Sequence, residues 1–231
     1  MPPRRKAPVR PTRLPAELRR ADILAIAARC FSTHGFVGAT TRDIARECGI
    51  TEAALYRYFP SKEAIYTAIL DERLASEDFV SPFENAARAG DDIAVFGGLA
   101  HALLEMVERD PTFLRLMLYS ALEGHQLARP FHEKRVTRLR EFLTSYIERR
   151  IAQRAFREHD PVLAARAFVG MVTDHLIVRE IFGQRDEYPQ SNAEVAENFV
   201  SIFLRGVRRD ERERTGATPK RRRAPRRFPN G

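Results

Sequence analysis

The chain has 231 residues, a formal charge of +8, no Trp, 15 Phe and 12 Gly. That length suits a small domain fused to a medium-sized one, and scarce glycine argues against a many-stranded sandwich and for an all-α fold. Two cysteines, Cys30 and Cys48, supply neither a disulfide framework nor a metal spacing, no apolar run approaches the roughly 18–20 residues of a membrane span, and no apolar region follows the basic N-terminus. The expectation is a cytoplasmic protein without membrane, metal or cofactor.

The charge is concentrated at the ends. Residues 1–13 carry Arg4, Arg5, Lys6, Arg10 and Arg13 among four prolines, and residues 208–231 carry ten Lys or Arg against three acids. Between them, Leu14 to Val207 sums to about −4 by difference. Both ends have the composition of disordered basic arms, 1–13 and 208–231, able to meet a polyanion or simply to keep the chain soluble.

Helical patterning starts near Leu14. Ile23, Ile26, Ala27, Cys30 and Phe31 recur on one helical face, and Gly35 is placed to end that helix in a left-handed conformation. Thr40 with Asp43 makes a capping signal for a short second helix ending at Gly49, and a third runs from about Thr51 to Phe59. Pro60 breaks it, and Ser61 caps a fourth carrying Ala64, Ile65, Ala68 and Ile69 on one edge. Residues 14–78 thus form a first domain. Beyond Ser81-Pro82, longer amphipathic segments follow at roughly 91–109, 111–125, 131–157, 161–182 and 192–207, separated by Xaa-Pro breaks. These lengths fit antiparallel bundle members in a second domain, residues 79–207.

The stretch Thr41–Tyr58 has the layout of a helix-turn-helix. Ala45 permits close helix crossing, Gly49 accepts the positive φ of the turn, and Ile44 and Leu55 are apolar anchors. At 100° per residue the third helix turns Ala54, Leu55, Tyr58 and Phe59 inward and Glu52, Ala53, Tyr56 and Arg57 outward. Small and planar outward residues suit entry into a major groove, where Arg57 can donate to guanine or phosphate and Glu52 can accept from a cytosine amino group.

The run GFVGATTRDIARECGITEAALYRYFPSKEAIYTAIL closely resembles the signature of the TetR family of bacterial one-component regulators, and the match covers about residues 20–70. The resemblance implies that Thr40, Thr41 and Arg42 at the second-helix N-terminus, Tyr56, Tyr58 and Lys62 hold phosphates, while Thr51, Glu52, Ala53, Tyr56 and Arg57 read bases. Glu52 and Ala53 depart from the family's usual basic or neutral residue and glycine. With eight bases and eight acids in residues 14–75, the domain is electrically neutral and binds through helix N-termini and a few placed donors.

For the second domain the resemblance implies sensing of a small apolar effector and dimerisation through the last two helices. Composition nominates Phe96, Leu103, Met106, Phe113, Met117, Phe142, Tyr146, Phe168, Met171, Val172 and His175 for the pocket, each equally explicable as bundle core. His101, His125 and Asp174 are further polar candidates. Val169, Leu176, Phe199, Ile202 and Phe203 continue apolar stripes that nominate a homodimer interface. The function expected is a repressor that grips palindromic double-stranded operator DNA as a dimer. The alternative is an architectural DNA-binding protein without an effector. No nucleophile–base pair, carboxylate pair or phosphate loop supports an enzyme.

Overall fold

The computed structural model describes residues 15–76, 78–123 and 137–209. The arm 1–13, the tail beyond Arg209, His125 and the expected helical start at 131–136 lie outside the described residues. Among those described, regular structure is helical apart from one antiparallel bridge between Phe156 and Arg208.

The N-terminal unit contains α1 (Ala16–Gly38), α2 (Thr41–Glu47), α3 (Glu52–Tyr56) and α4 (Lys62–Ser76). Ile23, Leu24, Ala27 and Phe31 are buried on α1, while Ile26 and Cys30, expected on the same stripe, lie at its half-buried edge. Gly35, at φ 71° and ψ 175°, interrupts α1 near the expected stop. Phe36 beyond it turns back onto Phe31 and Tyr66, with ring centroids 5.3–5.6 Å apart. Ile44, Leu55 and Ile65 complete this core almost without exposure, each contributing about 1.5–3 kcal/mol on transfer from water.

A 3-10 turn at Ser81–Phe83 leads into α5 (Glu84–Ala89), a short helix that the sequence reading did not separate. Then come α6 (Asp92–Arg109), α7 (Thr112–Leu122), α8 (Thr137–Ala152), α9 (Pro161–Leu176) and α10 (Asn192–Val207). Asp91, Asp160 and Ser191 cap α6, α9 and α10, the last through a full capping box with Glu194. Phe96, Tyr146, Phe156, Phe168 and Phe203 form the centre of this second core. Helices α6 and α10 run antiparallel: Asn192 Nδ2 donates to Glu108 at one end (2.5 Å), and Arg208 donates to Asp92 at the other (3.0 Å).

Helix α9 continues through a π-helical turn, Ile177–Ile181. The 161–181 helix is long and apolar enough, by length and composition, to cross a membrane, a correction to the expectation that no segment approaches a span. Arg166, Asp174, Arg179 and Glu180 interrupt it, and Ala165, Phe168, Val172 and Leu176 pack into the bundle core.

Helix α7 joins the two cores. Leu116 is buried in the N-terminal core, and Phe113 and Met117 pack against it. The Tyr66 hydroxyl donates to Leu116 O (3.3 Å), Tyr119 donates to Thr33 O (3.2 Å), and Arg115 on the same helix reaches Glu180 O in the π turn (3.1 Å).

Candidate nucleic-acid interface

The geometry of α2 and α3 follows from their caps. Thr40 Oγ1 accepts from Asp43 N (3.1 Å) and donates to the Asp43 carboxylate (2.6 Å), which holds that carboxyl below its ordinary range. Thr51 Oγ1 accepts from Ala54 N (3.1 Å) to start α3. Between them Gly49 sits at φ 64°, and nothing lies within 4 Å of where its Cβ would be. The glycine is therefore required by backbone conformation and not by space.

Leu55 and Phe59 anchor α3 in the core, at 0% and 3% exposure. Ala53, Tyr56 and Arg57 are exposed, and Tyr58 is half-buried. Glu52 does not stand free as expected. It is half-buried, and its Oε1 accepts the Thr41 hydroxyl at 2.5 Å, while the Tyr56 hydroxyl stands 3.3 Å from Thr41 Oγ1. This link ties the start of α2 to α3. Arg42 is exposed beside it.

Lys62 is also more engaged than the sequence suggested. Its ammonium donates to Phe36 O (2.8 Å) and Ala39 O (3.0 Å) and stands 4.4 Å from the centre of the Phe36 ring. Two of its three N–H donors are thereby committed to the turn after α1, a use set by contacts more than twenty residues away in sequence. An open groove of about 380 Å³ still brings Thr40, Thr41, Tyr56 and Lys62 to one surface. Burial pushes the Cys48 thiol up to about 11 and raises Cys30 as well, so both remain protonated at neutral pH.

In the second unit, Phe96, Tyr146, Phe168 and Val172 are core residues that fill one another's space, with Phe96 and Phe168 centroids 4.9 Å apart. They do not line a void. Phe113 and Met117 face the N-terminal core, because α7 turns that side towards α1. Leu103, Met106, Phe142 and Met171 lie half-buried at the edge of the bundle core. His175 is half-buried against Tyr188 and Phe199, and burial, followed by the nearby Arg179 charge, lowers its pKa. His101 is exposed and pairs with Glu105 at 3.3 Å, and Asp174 is exposed. Among the described residues no cluster of three metal-binding side chains occurs.

Of the nominated dimer residues, Leu176 and Phe203 are buried in the protomer's own core, so they are not the uncovered stripe expected. Ile202 is 62% exposed, and Val169 and Phe199 are half-buried. Val162 and Leu163 at the start of α9, missed in the sequence, are 45% and 58% exposed. Their signal was the Leu163-Ala167-Gly170 spacing of small and apolar residues along one face.

Comparisons with known proteins agree with this architecture. Residues 23–69 match the family model described as "Bacterial regulatory proteins, tetR family", and residues 97–206 match "AefR-like transcriptional repressor, C-terminal domain". The chain is 30% identical over 131 residues to the nucleoid occlusion factor SlmA of Marinobacter nauticus, spanning 54% of this chain and 66% of that protein. It is 36% identical over 87 residues to the HTH-type transcriptional regulator EthR of Mycolicibacterium smegmatis, 38% of each chain. The crystal structure of AibR in complex with isovaleryl coenzyme A and operator DNA superposes with a TM-score of 0.59 at 23% identity, covering 80% of this chain and 97% of that one. With the helix-turn-helix in the first unit and a helical bundle in the second, the chain belongs to the TetR family and is a DNA-binding transcriptional regulator.

Proposed function

We propose that the protein is a cytoplasmic homodimeric repressor that places α3 of each subunit in successive major grooves of a palindromic operator and is released by a small apolar effector. The observation that carries this reading is the surface of α3. Leu55 and Phe59 fix the helix while Ala53, Tyr56 and Arg57 stay uncovered, as groove entry needs. Thr40, Thr41, Arg42, Tyr58 and the remaining donor of Lys62 supply phosphate contacts, and Thr51 and Glu52 complete the base-facing edge. Dimerisation uses the exposed apolar face of α9 with Ile202, Val169 and Phe199 of α10 and α9, which gives the apolar 161–181 stretch a protein partner in place of a membrane.

The effector site of this reading lies at the edge of the second core, near Leu103, Met106, Phe142, Met171 and His175. Flexible Met side chains there accommodate an apolar guest. A relative in this fold is in complex with isovaleryl coenzyme A and operator DNA, and chemistry of that amphipathic kind is compatible with such a site.

A second reading, an architectural role without an effector, draws on one specific observation: Phe96, Tyr146, Phe168 and Val172 are packed solid. Relatives named nucleoid occlusion factors are consistent with it. Selection of duplexes from a random pool by the full chain tests both. The repressor reading expects a palindrome with half-sites about one helical turn apart, preferred roughly a thousandfold or more over random sequence. A preference of only a few-fold would sink it in favour of the architectural reading.

A further inference from the structure

The hydroxyls that the groove beside α3 offers to a phosphate are already engaged. Thr41 Oγ1 donates to Glu52 Oε1 (2.5 Å), and a hydroxyl has a single proton to give. The Tyr56 hydroxyl, 3.3 Å from Thr41 Oγ1, is then the donor of that contact, because the Thr41 proton is committed to the carboxylate. The result is a chain of donors that runs from Tyr56 through Thr41 and ends on Glu52. Thr40 is engaged likewise, its proton lying on the Asp43 carboxylate (2.6 Å). A phosphate entering the groove that Thr41, Tyr56 and Lys62 line meets lone pairs at the first two and one remaining N–H donor at the third.

Glu52 is out of place on this surface. It is half-buried in the first turn of α3, and among the described residues its partner is a hydroxyl and no cation pairs with it. A carboxylate without a counter-charge, on the face that approaches phosphates, opposes binding to every duplex alike. Cohesion of the two helices does not depend on that charge, because Ile44, Ala45 and Leu55 hold α2 and α3 in the N-terminal core at 0–2% exposure. A group that weakens general binding and is dispensable for packing has its use in discriminating between sequences.

We infer that Glu52 determines sequence specificity through Thr41 and Tyr56, withholding their protons from phosphate until a cytosine amino group in the major groove takes over the carboxylate. The inference rests on the reading of α3 as the helix that enters the groove. Cytosine is the base whose major-groove edge offers a donor with no acceptor beside it. Adenine sets N7 next to its amino group, and guanine and thymine turn only acceptors towards a carboxylate. In its contact with Thr41 the Glu52 side chain is turned back onto the start of α2. Meeting a base edge requires it to rotate outward, and the 2.5 Å hydrogen bond does not survive that rotation. At a cytosine, Glu52 accepts the N4–H, and the freed hydroxyls of Thr41 and Tyr56 turn to the backbone phosphate, so one base contact brings two phosphate contacts with it. At any other base the chain of donors stays closed and both are missing.

The test is a double-mutant cycle on the full chain, Glu52→Ala and Thr41→Val alone and together, titrated against a random-sequence duplex. Thr41→Val weakens binding about fivefold more in the Glu52→Ala background, where the hydroxyl is free to donate, than in wild type. Thr41→Ser, which keeps the hydroxyl, recovers that loss, and circular dichroism with thermal melts shows each variant folded at the titration temperature. An equal loss from Thr41→Val in both backgrounds overturns the inference and reduces Glu52 to a repelling charge. Selection from a pool of random duplexes supplies the second arm. Wild type enriches cytosine at one position of each half-site, and Glu52→Ala lowers that enrichment by about tenfold while the rest of the consensus stays. Cytosine retained by Glu52→Ala, or another base enriched there by wild type, overturns the inference as well. Failure of the α3 reading is distinct: Arg57→Ala and Glu52→Ala would then both leave random-duplex affinity and the consensus as in wild type, and both readings fall. If the inference alone fails, Arg57→Ala still weakens binding.

Discussion

Glu123 occupies the space that Gly35 leaves open: a Cβ on Gly35 would collide with Glu123 Oε1, and the two carboxylate oxygens accept the N–H groups of Phe36 (3.1 Å) and Val37 (3.4 Å). Gly35 also adopts φ 71° and ψ 175°, a region that residues with a Cβ avoid. A carboxylate at the end of α7 therefore closes the turn on which the helix-turn-helix begins.

Gly35→Ala is expected to cost about 1–3 kcal/mol from backbone strain, and more as Glu123 is displaced. Urea unfolding of the single and double variants checks it. With Glu123→Ala in the background, the cost of Gly35→Ala should shrink towards the strain alone, and strictly additive costs would show that the two residues do not share the site.

Replacing Lys62 by Gln should lower stability by about 1–2 kcal/mol, because two carbonyl acceptors and the Phe36 ring lose a cation. The slope of log affinity against log salt discriminates its second role. A fall in slope of about 0.9 means that the ammonium also contacts one phosphate, whereas an unchanged slope confines it to the turn.

At the α3 surface, Arg57→Ala should reduce affinity for the selected site by about 1–3 kcal/mol and relax specificity at one base pair. Glu52→Gln should act oppositely on random duplex, strengthening binding several-fold by removing a charge that phosphates repel. Parallel titrations on selected and random duplexes separate the two. Equal weakening of both by Arg57→Ala would assign that side chain to phosphate.

Asp92 is 4% exposed and accepts from Tyr146, Arg150 and Arg208. Asp92→Ala leaves the half-buried Arg150 guanidinium and the buried Tyr146 hydroxyl without their acceptor, and a loss of about 2–3 kcal/mol in chemical denaturation is expected. Loss below 1 kcal/mol would mean that water replaces the carboxylate.

Asp78 gives a pH signature. The Ser81 hydroxyl and the N–H groups of Val80 and Ser81 lower its pKa to about 2. A folded pKa below the unfolded value of about 3.9 contributes stability that is complete above pH 4 and fades as pH falls towards 2. Asp78→Asn should therefore flatten the dependence of Tm on pH in that window and leave its shape near neutrality alone. A dependence identical to wild type there would contradict the hydrogen-bonded turn.

What the sequence made legible was local. Thr40, Thr51, Ser61 and Asp91 announce helix starts because a cap is decided within three residues. Gly35 and Gly49 announce turns because a positive φ selects glycine, whereas the collision with Glu123 that a Cβ on Gly35 would make depends on a residue 88 positions away. The outward and inward faces of α3 followed from a 100° rotation, apart from Glu52, whose partner Thr41 lies eleven residues away. The bonds of Lys62 to Phe36 O and Ala39 O and the burial of Leu176 and Phe203 left no trace in the sequence because their surroundings come from distant segments. A stripe on α10 reads the same whether α6 or a second copy covers it. The π turn and α5 left no periodic signal in five or six residues.

The Asp92 cluster also sets an order of assembly. Its ligands come from positions 54, 58 and 116 residues further along the chain, and Arg208 also forms the antiparallel bridge with Phe156. During synthesis the carboxylate waits for Arg208 until nearly the whole bundle has been made. The N-terminal unit, whose core is complete once α7 has been made, can gather earlier. A nascent chain halted before Arg208 would hold an incomplete bundle in which the Asp92 carboxylate lacks one of its three donors, the species that proteases and chaperones would meet first.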